Sequence, residues 1–177
     1  MSTLKVNAIT ETDGSAFPLG KVLQVVQAVK SDTSSFSISS GGTHDDTNFA
    51  GSITPSSTSN NILVQIMVNH GTSSNQLGAF NLMCNGSTIG RGAADGSRAR
   101  ITGCHHAEET AGTQTIFMSF LHSPSSTSQQ TYNLRWRHNS SSTRTHYINR
   151  SHEDNNASGN GMGPRAISTI LLMEVAA

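Results

Sequence analysis

The run NILVQIMVN at residues 61–69 decides the fold. Ile62, Val64, Ile66 and Val68 recur at every second position. Successive side chains of a strand point to opposite sides of its sheet, so these four share one buried face. Working outward, TYNLRWRH at 131–138 repeats the pattern, with Tyr132, Leu134 and Trp136 on one side and Asn133, Arg135 and Arg137 on the other. In 114–121, Ile116, Met118 and Phe120 point one way while Thr115, Phe117, Ser119 and Leu121 point the other. Asn85-Gly86, set between FNLMC and STIG, is a two-residue turn whose members both tolerate the positive φ of a type I′ hairpin.

Strands are expected at 22–30, 36–39, 50–54, 61–69, 79–84, 88–91, 98–104, 114–121, 131–138, 144–149 and 166–175, separated by Gly/Ser/Asn/Thr-rich connections. No stretch has the period of an amphipathic helix. The expected architecture is an all-β, antiparallel, jelly-roll-like sandwich forming a single domain over residues 21–177. Residues 1–20, MSTLKVNAITETDGSAFPLG, carry Gly14, Pro18 and Gly20 and no regular period, so they read as an extended arm. Fully extended, such an arm reaches on the order of 60 Å. Leu4, Val6 and Ile9 are the residues expected to anchor it on another protein.

Composition narrows the function. Only 12% of the 177 residues are charged, the formal net charge is +0, and polarity comes from neutral Ser, Thr, Asn, Gln and Gly. No global field attracts nucleic acid or an anionic membrane. No apolar run approaches the roughly 18 residues that cross a bilayer, and the start lacks a charged region followed by an apolar one, so a soluble, unprocessed chain without membrane insertion is expected. Cys84 and Cys104 are too few for a disulfide framework and are expected to be free thiols.

Some strands are apolar on both faces. Residues 22–29 set Leu23, Val25 and Val29 against Val22, Val26 and Ala28; 167–175 is apolar on both sides; and 62–68 adds Leu63 and Met67 to its outer face. A lone sandwich would leave this second surface wet, which points to self-association about an axis. Val22, Val26, Leu63, Met67, Ile170 and Leu172 are the candidate interface residues.

The start STLKVNAI, the runs GKVLQVVQAVKSD and SITPSSTSNNILVQIMV, the stretch FLHSPSSTSQQTYNLRW and the ending STILLMEVAA resemble small fibre-like virion proteins of tailed bacteriophages, particularly marine and cyanobacterial ones. The resemblance implies a homotrimer, assembled in the host bacterial cytoplasm and carried in the virion as a tail-fibre, collar or capsid-decoration module. Its N-terminal segment would attach to other virion proteins and its loops would lie outermost.

Catalytic and metal chemistry find little support. Cys104-His105-His106-Ala107-Glu108-Glu109 holds ligand-type residues, but its spacing fits no established metal motif and adjacent strand residues diverge, so it reads as a polar loop after a strand. Asp45-Asp46 and Glu153-Asp154 lie in polar stretches that read as turns rather than as a paired-carboxylate hydrolase site. There is no G-x-S-x-G elbow. A non-enzymatic protein without cofactor is expected. The alternative is a receptor-binding or lectin-like module recognising host surface glycan through loops 41–50, 91–113 and 150–164. Arg144, His146, Tyr147 and Arg150 are its candidate contacts, while Trp136 is assigned to the core.

Overall fold

The computed structural model describes residues 20–74, 76–107, 111–138, 140–154 and 163–177. The arm residues Leu4, Val6 and Ile9, and Glu108 and Glu109, lie outside them. Among the described residues eleven strands follow one another: β1 (Val22–Lys30), β2 (Ser34–Ile38), β3 (Thr43–Ile53), β4 (Asn61–Thr72), β5 (Gln76–Cys84), β6 (Ser87–Ile89), β7 (Gly103–Ala107), β8 (Gln114–His122), β9 (Gln130–Arg137), β10 (Arg144–Ile148) and β11 (Ser168–Val175). They form two antiparallel sheets packed as a sandwich.

The first sheet is built around β4. Its residues 61–67 pair with β11 on one edge and its residues 62–70 with β8 on the other, and β1 extends the sheet beyond β11. Past the end of β11, the last residues of β4 pair with β10, which carries β2 on its far side. The second sheet runs β3-β9-β5-β6, with β7 also on β5. Ile62, Val64, Ile66 and Val68 of β4 meet Tyr132, Leu134 and Trp136 of β9 and Phe80 and Leu82 of β5 in one core. The alternation in β4 and β9 therefore selects the buried face as expected, and Trp136 is fully enclosed.

The Asn85-Gly86 turn joins β5 to β6, with φ of 47° at Asn85 and 78° at Gly86. β3 differs from expectation. Residues 41–50, expected to be an outer loop, largely belong to this strand. Its ladder against β9 jumps from Asp46↔Leu134 to Ala50↔Asn133. The bulge turns Phe49 into the core, where it is 2% exposed. Residues 98–102 are not strand, and β7 starts later, at Gly103. Cys84 is buried, Cys104 is exposed, and both are free.

Asn149, just past β10, ties the connections together. Its backbone N–H donates to Asn69 O at 2.9 Å, its Nδ2 donates to Lys30 O at 2.8 Å and Asp32 O at 2.9 Å, and its Oδ1 accepts from Ser168 Oγ at 2.6 Å. It sits at φ 62°, a conformation that asparagine tolerates better than most residues.

Candidate functional site

The outer face of the first sheet is apolar over four adjacent strands. Register places Val25 of β1 beside Met173 of β11, Met173 beside Leu63 of β4, and Leu63 beside Leu121 of β8. Four residues along, Val29, Thr169, Met67 and Phe117 form a parallel row. Between them lie Gln27, Leu171, Gln65 and Ser119, so the face carries no charge. Phe117 is 66% exposed, Val25 58% and Leu121 55%. Large side chains this open, set side by side, form the kind of patch that monomeric proteins rarely leave uncovered.

The structure corrects half of the expected interface residues. Leu63 and Met67 do lie on this face, and Val22 is exposed where a bulge sets it opposite Val175. Ile170 and Leu172 point inward and are fully buried, and Val26 packs against the same core. The β1–β11 register explains the exchange: Val26 pairs with Leu172 and Ala28 with Ile170 on the core side, leaving Leu23, Val25 and Val29 outside.

The outer face of the second sheet is polar. Arg135 of β9 pairs across the ladder with Asp45 of β3, Nε to Oδ1 at 2.5 Å and Nη2 to Oδ2 at 2.8 Å. The guanidinium, through hydrogen bonding and then charge, holds the Asp45 carboxyl below its ordinary range despite partial burial. A shallow groove of about 250 Å³ is lined there by Asp45, Thr47, Met83, Asn85, Thr131 and Asn133 among others. It offers no aromatic platform.

The proposed glycan contacts are also corrected. His146 is fully buried and Tyr147 is only 7% exposed, because β10 is flanked by β2 and β4 rather than lying at the rim. Tyr147 shares a hydrogen bond with His152 Nδ1 at 2.7 Å, and Arg150 lies over its ring at 4.2 Å. Arg144 and Arg150 remain partly exposed.

His146 belongs instead to an internal chain of imidazoles. His105 Nε2 lies 2.5 Å from His70 Nδ1, and His70 Nε2 lies 2.9 Å from His146 Nδ1. The three rings come from β7, β4 and β10 and link the two sheets at one end of the sandwich. His70 stacks on Trp136 at 4.4 Å, and Phe36 of β2 is stacked against His44 at 4.1 Å and His146 at 5.6 Å. His138 meets His146 edge-on and donates from Nε2 to Ser39 O at 3.1 Å. Gly78 makes the space: a Cβ there would come within 2.5 Å of His105 Nε2 and 2.7 Å of His70 Cε1.

A neutral imidazole carries one N–H, so His70 donates to one neighbour and accepts from the other. Whichever way the chain runs, one buried N–H is left at an end without a partner; His105 Nδ1 and His146 Nε2 are the unpaired atoms. Burial drives His105 and His146 down to about 4 and His70 well below its ordinary 6.5, with the neighbouring histidines adding to the effect. The cluster is uncharged at neutral pH. It does not surround an ion either, since the nitrogens approach each other directly, whereas two ligands of a tetrahedral zinc, each about 2.0–2.1 Å from it, stand roughly 3.3 Å apart. No group of three or more His, Cys, Asp or Glu among the described residues is arranged to hold a metal.

No single segment of sequence carries this cluster, because His70 is 35 residues from His105 and 76 from His146. A signal was nonetheless present: His70 continues the inward parity of Ile66 and Val68, and His138 that of Leu134 and Trp136. His105 faces His70 while His106 is exposed, as divergence of adjacent strand residues requires, but residues 104–107 are strand rather than loop.

No family model matches the chain, and no curated protein matches it. Among solved structures, the chain is similar to the VP2 subviral particle of infectious bursal disease virus, with 13% identity and a TM-score of 0.39, over 98% of this chain and 42% of that one.

Proposed function

We propose that this protein is a structural, non-enzymatic component of a virion, of the tailed-phage type its sequence resembles. It assembles as a homotrimer through the outer face of β1-β11-β4-β8 and attaches to other virion proteins through residues 1–20. The observation that carries the reading is the uncharged apolar face that runs from Val25 and Val29 to Leu121 and Phe117. Its occupant is a second copy of the chain. An uncharged face has no electrostatic selectivity for a foreign partner, and a net charge of +0 means that copies do not repel one another. The sequence resemblance is what selects three copies. Host-glycan recognition through the end of β10 has lost two of its proposed contacts to the interior, and no observation favours it over assembly.

Sedimentation equilibrium at micromolar concentration tests the reading. The expected mass is three times the 18.7 kDa of one chain. A stable monomer would overturn it. Deleting residues 1–20 should leave the oligomer intact while abolishing incorporation into virions; normal incorporation would remove the arm as anchor.

A further inference from the structure

The β2–β10 ribbon is held to the sandwich in an uneven way. β10 pairs with β4 over only three residue pairs, His146↔Thr72, Tyr147↔Gly71 and Ile148↔His70. Beyond them, Ser73 N–H donates to Thr145 O at 2.9 Å, and Thr145 N–H donates to Ser73 Oγ at 3.1 Å. At its base the ribbon is fixed by the hydrogen bonds of Asn149 to Asn69, Lys30 and Asp32. Towards its far end the bonds between Ser73 and Thr145 are joined by His138 to Ser39 O and by ring contacts: His146 to His70, and Phe36 between His44 and His146. A ribbon with a firm base and a titratable clasp is a candidate for local opening.

We propose that β2–β10 is an acid-released flap, with Asn149 as its fixed base and the His105–His70–His146 chain as the clasp that protonation opens. One added proton makes the chain cationic in the space between the sheets. Among the described residues, the groups that act on these three rings are other histidines: His106 and His146 from either side, His138 after β9, and His44 on β3. Arg144, on the flap itself, acts on His138 and adds positive charge. Asp46 is the carboxylate on the inner side of β3, but Lys30 and His44 are the charges that act on it. None of these described groups neutralises a proton on His70 or His146, so the charge is relieved by admitting water. The β2–β10 ribbon then parts from β4 where His146 meets His70, and Phe36 and Ile38 become accessible. The four-stranded apolar face does not include the clasp and stays folded, which makes the inference independent of the assembly reading.

Hydrogen exchange followed by mass spectrometry on the full chain, from about pH 7.5 down to about pH 5 and corrected to protection factors, tests the proposal. Peptides covering Ser34–Ile38 and Arg144–Ile148 should lose at least about tenfold in protection, while those covering Val22–Lys30, Gln114–His122 and Ser168–Val175 keep theirs. His146→Phe, which keeps a ring against Phe36 but removes one titrating member of the chain, should lose less flap protection at the lower pH than the wild type does. If that variant fails to fold at neutral pH, His105→Gln at the other end of the chain takes its place. Unchanged protection in the wild type, loss spread evenly over all strands, or release undiminished in the variant would each overturn the proposal.

Discussion

Phe117 of β8 stands directly opposite Met67 of β4 on the outside of the first sheet, and Phe117 is the most exposed large apolar side chain among the described residues. It touches none of the inter-sheet core, so replacing it tests association without testing folding. Phe117→Asp combined with Val25→Asp should leave the unfolding free energy within about 0.5 kcal/mol, as is usual for surface substitutions. Self-association should weaken by at least tenfold, equivalent to about 1.4 kcal/mol per interface. Sedimentation velocity over a concentration series reads the second effect, and urea unfolding of the dissociated chain reads the first. An unchanged sedimentation profile would show that copies meet elsewhere.

Glu174 is the buried carboxylate that organises one end of the sandwich. Its Oε1 accepts from Ser56 N–H at 2.7 Å, Ser56 Oγ at 2.7 Å and Asn60 Nδ2 at 2.7 Å, tying the connection between β3 and β4 to β11. Desolvation opposes the charge, but the hydrogen bonds from Asn60 and Ser56 outweigh it and hold the carboxyl below its ordinary value of 4.5. Glu174→Ala should destabilise the fold by about 2 kcal/mol, the scale of losing hydrogen bonds to a charged acceptor and leaving their donors unpaired. Because the folded carboxyl is the stronger acid, its contribution is complete above 4.5 and disappears as the pH falls through the depressed folded value. In the alanine variant, that acid-limb loss should be smaller than in the wild type when thermal midpoints are compared.

The histidine chain acts in a different pH window. Unfolded imidazoles take up protons near 6.5, whereas burial holds His105 and His146 at about 4 in the folded chain and His70 well below its ordinary value. The unfolded state therefore binds more protons between these limits, and stability, complete above 6.5, declines as the pH falls towards about 4. Near pH 5 each ring kept neutral costs on the order of 2 kcal/mol relative to neutral pH. Urea midpoints at neutral pH and near pH 5 should show this decline, and His146→Phe should show a shallower one. Equal slopes in the two proteins would mean that His146 is not among the groups responsible.

Legibility in the sequence followed parity. β4 and β9 alternate cleanly, so their inward residues and the enclosure of Trp136 could be read directly. β1 and β11 are apolar on both sides, and which side faces the core depends on their pairing register, which no local pattern contains. That is why Val26, Ile170 and Leu172 were expected outside and lie inside. β3 was hidden because THDDTNF carries turn-type residues and a bulge that breaks its alternation. Tyr147, flanked by His146 and close to Arg144 and Arg150, has the local composition of an exposed site, yet pairing of β10 on both edges covers it. The imidazole chain is a tertiary product, assembled from strands of both sheets, and only the inward parity of its members hinted at it.

Asn149 offers the sharpest test of the fold's own construction. Its amide is fully buried, spends both donor protons on Lys30 O and Asp32 O, and accepts from Ser168 Oγ, while its backbone occupies the left-handed region. Asn149→Ala removes all three side-chain hydrogen bonds, takes the amide from the carbonyls of Lys30 and Asp32 and the acceptor from the Ser168 hydroxyl proton, and puts a less tolerant residue at positive φ. Each unpaired buried group costs about 1–3 kcal/mol, so a loss of roughly 3 kcal/mol or more is expected, measured by urea unfolding at neutral pH. Asn149→Gly restores the backbone freedom but none of the hydrogen bonds. It should recover only the conformational part, on the order of 1 kcal/mol. A glycine variant as stable as the wild type would show that Asn149 is retained for its backbone angle alone, and that its amide does not fix the base of β10.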